Sequence, residues 1–262
     1  MLFPAMFGIR GLLVGVCLLW LSACAVVSPV VTPPALPVSA ELPQAEEGMD
    51  KNYWWFVRVK VVWPEEEPIA WYMDVLLAHQ LFKPVLLKYA HDIELWRFHR
   101  RAGRDKAGHR FSFIFYAREA TATAILNNLA ENPLIPKLMG ANRVEKIVLY
   151  EANKKPNSAI EATSDKNWSL TMQRAWPYFA MGGSQVWLSL IDQYAASAEH
   201  SLTHDSLENN DDIEALLAFY RQIDEKIVTT WEEEGGHAFL HHLNALFGYG
   251  DVAIYERRMI RF

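Results

Sequence analysis

Cysteine is almost missing from this chain: Cys17 and Cys24 are the two in 262 residues. A multi-disulfide scaffold and a four-cysteine zinc site are therefore excluded. Nucleophile and nucleotide signatures are missing too. There is no Gly-x-Ser-x-Gly, no P-loop, and no Gly-x-Gly-x-x-Gly after a strand-like run, so no nucleotide cofactor is expected. The His-Glu-x-x-His pair of zinc proteases is absent as well. Positive charge is in deficit, with 25 Lys+Arg against 31 Asp+Glu, net -6, and a pI near 5.9. The phosphate backbone demands a cationic surface, so nucleic acid is not an expected partner. What is abundant is apolar matter: 51% hydrophobic residues, with 10 Trp and 13 Phe, enough for a substantial globular core.

The N-terminus reads as an export leader. Arg10 precedes the apolar run Gly11-Leu-Leu-Val-Gly-Val-Cys-Leu-Leu-Trp20, followed by Leu21-Ser22-Ala23-Cys24. The run is about half the ~20 residues that a membrane-spanning helix needs. Leu21 to Cys24 resembles the lipobox of bacterial lipoproteins. The resemblance implies cleavage after residue 23, diacylglycerol on the Cys24 sulfur and acylation of its new amino group. Cys24 is then the lipidation site, and no free thiol remains in the mature chain. Ala25, where Asp would otherwise stand, resembles the outer-membrane sorting state. Several acyl chains give stable anchoring where one does not.

Residues 24–50 read as a tether. Pro29, Pro33, Pro34, Pro37 and Pro43 occur without an aromatic residue from Ala25 to Asp50. At ~3.1 Å per residue in the polyproline II form, it reaches about 80 Å.

From residue 51 the pattern changes to alternating strands and helices. Tyr53 to Trp63 is β-branched and aromatic and stops at Pro64, as a strand does. Ile69, Tyr72, Met73, Leu76, Leu77 and Leu81 mark a helix, with Pro84 kinking or breaking it. Leu95 to Arg101 and His109 to Tyr116 flank a turn and predict a hairpin. A helix follows over Arg118 to Ala130, then a strand over Val144 to Tyr150. The order βαββαβ predicts an α+β class and a ferredoxin-like domain at 51–150. A helical region at 151–262 follows, with stripes at Trp176 to Tyr194 and Ile213 to Trp231. Asp211 and Glu214 resemble a capping box, Gly235-Gly236 a stop, and Met181-Gly-Gly-Ser184 a site of close helix packing. A short helix from His237 to Phe247 and a strand from Val252 to Phe262 complete the expectation.

Charge divides unequally. Residues 51–150 carry 15 Lys+Arg and 10 Asp+Glu, whereas residues 151–262 carry 9 and 17. Strand parity puts Val57, Val59, Val61, Trp96, Phe98, Phe111, Phe113 and Phe115 on one face. The other receives Arg58, Lys60, Arg97, His99, Arg101 and Arg110, with Trp54, Phe56 and Tyr116 among them. Arg97, His99, Arg101, His109 and Arg110 are the candidate anion-binding or interdomain residues. Arginine forks pair with carboxylates or phosphates, and the acidic helical half, through Asp211, Asp212 and Glu232 to Glu234, is the expected cover.

Leu95-Trp-Arg-Phe-His-Arg-Arg101 leading to Gly108-His-Arg-Phe111 resembles the C-terminal domain of lantibiotic dehydratases and thiopeptide-type biosynthesis proteins. That family has Pro where this chain has Gly108, and its elimination chemistry does not carry over. His237 and His241, with Glu233 and His242, have metal-ligand spacing, but the paired glycines interrupt the helix that would align them, so no metal is expected. The sequence thus predicts a lipid-anchored envelope protein: a non-catalytic binding or assembly module on the periplasmic side of a membrane, partnered by an envelope protein or an anionic envelope ligand. The alternative is an envelope enzyme using the Arg/His face or the C-terminal histidines.

Overall fold

The computed structural model describes residues 51–150, 157–199 and 213–248. The expected leader, Cys24, the expected tether, Asp211, Asp212 and the expected terminal strand lie outside them. By contacts the chain divides into Met1–Glu47 and Gly48–Phe262, so the strand-rich and helical parts belong to one compact unit. The fold class is α+β.

Four strands form the sheet: β1 (Asn52–Val61), β2 (Ile93–Arg101), β3 (His109–Arg118) and β4 (Val144–Leu149). Their order is β2-β3-β1-β4, with every neighbouring pair antiparallel. The hairpin register sets Arg101 opposite Arg110 and Phe98 opposite Phe113. Gly108 closes the turn with φ +61°, a left-handed conformation that glycine adopts without strain.

One sheet face is apolar and carries the helices α1 (Trp71–Leu76), α2 (Lys83–Lys88) and α3 (Glu119–Ala130), with the short α4 (Leu134–Gly140) after them. Val57, Val59, Phe111, Phe113 and Phe115 lie under Leu76, Leu81, Phe82, Ile125 and Leu129, all essentially fully buried. The Phe82 ring meets Phe98, Phe111 and Phe113 at 5.0–6.2 Å between centroids. Pro84 does not break the first helix. A π-helical segment, Leu77–Phe82, joins α1 to α2, and the proline takes its place in the first turn of α2. Proline removes an intrahelical donor, and widening the preceding turn accommodates that loss.

The long helix α5 (Leu170–Glu199) begins six residues earlier than its stripe predicts and runs through Pro177. Pro177 cannot donate to the carbonyl of Gln173, and Ser164 Oγ donates to that carbonyl instead, at 2.6 Å. Further along, Ser184 Oγ accepts from the Phe98 backbone N–H at 3.0 Å. The helix thus covers the β2 edge, which would otherwise present unpaired backbone groups. Gly182 and Gly183 do not serve close packing, because a Cβ added at either meets nothing within 4 Å.

Helix α6 (Ile213–Thr230) buries Leu217, Tyr220, Ile223 and Ile227 and packs on α1. Gly235-Gly236 does not stop it. Both glycines are right-handed helical, and a π-helical segment, Trp231–Gly235, leads directly into α7 (Gly236–Phe247). The Trp231 ring explains one of them: a Cβ on Gly235 would lie 2.5 Å from it. No helix among the described residues is long and apolar enough to cross a membrane.

Candidate functional site: a cationic sheet face

Antiparallel partners share a face, so register decides which side chains meet. On the side away from α1 to α3, Arg101, Arg110, Lys60 and Lys146 stand opposite one another on four adjacent strands. The next row holds His99, Ser112, Arg58 and Val148, and the one beyond holds Arg97, Ile114 and Phe56. Parity read from the sequence thus places Arg58, Lys60, Arg97, His99, Arg101 and Arg110 together, and the structure adds Lys146.

Among the described residues, carboxylates are sparse here. Arg101 pairs with Asp105 of its own hairpin turn, and Lys60 pairs with Glu145 at 2.7 Å. The Arg101 guanidinium holds the Asp105 carboxyl down to about 2. Arg110, half-buried between Arg101 and Lys60, has no salt bridge among the described residues. Arg58 lies over the Phe56 ring, 3.8 Å from its centroid. Arg97 donates to the Thr163 carbonyl at 3.1 Å, while its Nε is buried without a partner among the described residues. Desolvation lowers the Arg97 pKa. His99 is also held below the ordinary imidazole value, by desolvation first and then by Arg97, Arg110, Arg101 and Arg58. Near neutral pH it is therefore an uncharged donor or acceptor among cations.

Among the described residues, the acidic helices do not lie over this face as their charge predicts, and the expected partners Asp211 and Asp212 lie outside those residues. The segment after β4 covers one end: the Trp54 indole N–H donates to the carbonyls of Ala159 and Ile160, and the Tyr116 hydroxyl to that of Ser158. Trp54 is thereby buried, and it is not an open stacking platform. Helices α5 and α6 instead meet the sheet at the β2 edge and on the α1 side. The reason is apolar matching: the Leu217, Tyr220, Ile223 and Ile227 stripe finds the α1 layer. Glu232, Glu233 and Glu234 remain exposed.

His109 and Arg100 belong to the opposite side. His109 is fully buried, and its Nε2 lies 2.9 Å from Asp74 Oδ1, with Asp74 buried too. Arg100 Nε donates to the other Asp74 oxygen at 3.0 Å, and its Nη2 lies 3.5 Å from Asp224. The Arg100 guanidinium sits 4.8 Å from the ring centroids of both Trp71 and Trp187. His109 Nδ1 has no partner among the described residues. Burial raises the Asp224 pKa, with Arg100 opposing. This cluster joins α1, the hairpin and α6, but its Asp–His pair is shut from solvent. Arg104 is engaged elsewhere, 3.5 Å over the Trp63 ring and bonded to the carbonyls of Pro64, Glu65 and Glu67.

Two other places compare poorly with the face. The continuous helix brings His237 and His241 into a stack, 5.8 Å between ring centroids, contrary to the interruption read from the glycines. No group of three or more His, Cys, Asp or Glu that could hold a metal occurs among the described residues. A hollow of about 230 Å³ is lined by Lys83, Leu86, Trp96, Leu188 and Asp192, but Lys83 there is already paired with Asp192 at 2.8 Å. Compared with known proteins, the chain matches no family model, no curated protein and no solved structure.

Proposed function

We propose that this chain is a lipid-anchored cell-envelope protein, held by Cys24 at the periplasmic side of a membrane, and that it is a non-catalytic binding module. The Leu21-Ser22-Ala23-Cys24 pattern supports the anchor. The cationic face on what we read as a ferredoxin-like sheet supports binding. One observation carries that part: Arg101, Arg110, Lys60 and Lys146 stand in one row on a sheet face, and among the described residues Arg110 and Lys146 have no carboxylate partner. Like charges directly opposite one another destabilise a sheet, and an anionic ligand removes that cost. Side chains fixed on strands are also held more firmly than those on loops.

Calorimetric titration of the full-length chain with inorganic pyrophosphate at low ionic strength tests the binding. Wild type should bind, and Arg110→Glu should weaken binding by at least about tenfold while far-UV circular dichroism stays unchanged. Absence of binding by wild type rejects the module. The anchor is tested separately: Cys24→Ser should abolish incorporation of labelled fatty acid, and unchanged labelling rejects it.

A further inference from the structure

The cations on this face are in line. Arg101, Arg110, Lys60 and Lys146 come from β2, β3, β1 and β4 at a single level of the sheet, each the cross-strand partner of the next. With strands about 4.8 Å apart, the row extends roughly 14 Å across the sheet. Cross-strand pairs approach to about 5 Å between Cβ atoms, where opposite charges would stabilise and like charges do not. Asp105 sits beside the Arg101 end, and Glu145 beside Lys60. Arg110, between those two cations, has no carboxylate partner among the described residues, and neither has Lys146 at the exposed β4 end.

We infer that this row binds an extended phosphate chain lying across the four strands, with successive phosphates facing successive cations. The inference rests on the anion-binding reading above and adds the shape and chemistry of the ligand. A compact anion would meet two neighbouring cations and leave the others repelling one another, whereas an extended one serves all four. Phosphate suits the mixture of donors. Two are arginine forks and two are lysine point charges, and a phosphate group offers acceptor oxygens to both, while a planar carboxylate favours the fork. The second row puts Arg58 and the His99 ring alongside, on the same face.

The test titrates the full-length chain with orthophosphate, pyrophosphate, tripolyphosphate and a longer linear polyphosphate at constant ionic strength, with polygalacturonate as the carboxylate polymer. Affinity should rise by about tenfold or more from pyrophosphate to the longer chains. Lys146→Ala and Arg110→Ala should each remove most of that rise. Lys106→Ala, which changes an exposed cation in the hairpin turn outside the row, should leave it unchanged. Flotation with vesicles of phosphatidylcholine, with and without phosphatidylglycerol, separates a headgroup from a soluble chain. Equal affinity for pyrophosphate and long chains overturns the extended ligand while leaving anion binding intact. A Lys106→Ala loss as large as that of Lys146→Ala overturns the row. Preference for polygalacturonate overturns phosphate, and capture by phosphatidylglycerol vesicles without binding of soluble polyphosphate moves the site to lipid headgroups. If no anion binds at all, the module reading fails with it.

Discussion

The two faces of the β2–β3 hairpin treat the same residue type in opposite ways. Arg100, on the core side, receives the Asp74 and Asp224 carboxylates and two tryptophan rings. Arg110, on the other side, receives no carboxylate among the described residues and stands between two further cations. Asp74 is fully buried, and a buried charge must be paired because desolvation otherwise costs several kcal/mol, whereas the half-buried Arg110 is sustained by water. The core-side charges therefore hold the sheet, α1 and α6 together, while Arg110 stands half-buried beside two further cations.

The sharpest way to break this contrast is Asp74→Ala. It strips the partner from buried His109 and from Arg100, and should cost about 3 to 5 kcal/mol. The readout is the denaturant midpoint of the full-length chain; a wild-type midpoint would show that the core-side network does not stabilise the fold. Ser164→Ala leaves the Gln173 carbonyl freed by Pro177 without its hydroxyl donor, and should cost roughly 1 to 2 kcal/mol in the same measurement. Asp224→Asn should be milder, within about 1 kcal/mol, because burial already disfavours that carboxylate and its Arg100 contact is long. Arg110→Ala should stay within about 0.5 kcal/mol of wild type, and relief of the cation row makes a small gain the expected sign. A loss as large as that of Asp74→Ala would erase the difference between the faces.

Acid sharpens the comparison in another way. The folded pKa of His99 lies below its unfolded value of 6.5, so the unfolded chain takes up the proton first. This histidine's contribution to stability is present above pH 6.5 and falls away as the pH drops from there through the folded pKa. In His99→Gln the decline of stability over that window should be shallower, and an unchanged pH profile would show that neither burial nor the surrounding cations hold its pKa down. An anion seated among Arg97, Arg110, Arg101 and Arg58 opposes their field and should raise the His99 pKa, so phosphate should bind more tightly as the pH falls below neutral while the phosphate itself remains charged.

Much of the sheet was legible because strand alternation has a period of two and four strands have strong β composition. Parity alone assembled Arg58, Lys60, Arg97, His99, Arg101 and Arg110. It could not assign Lys146, because knowing that β4 lies beside β1, with Lys146 opposite Lys60, requires strand order and register. His109 stands among the outer candidates by proximity along the chain, although its strand register puts it on the core side with Arg100. Their common partner Asp74 interrupts an apolar helical stripe, and nothing in its neighbours announces burial. At Gly235-Gly236 the ordinary helix-stop signal fails because the helix uses the missing Cβ to seat Trp231.

By itself the sequence determined the order of strands and helices, the alternation that puts cations on one sheet face, and the motif Leu21 to Cys24 on which the expected anchor rests. These depend on local periodicity, on φ/ψ preference, or on a contiguous motif. Tertiary structure alone decided that α6 rests on α1, that Asp74 joins His109 and Arg100 across 26 to 35 residues of chain, and that four cations fall into line. Such meetings depend on which apolar surfaces bury one another and on the register in which strands pair. Both are settled by the packing of the whole chain.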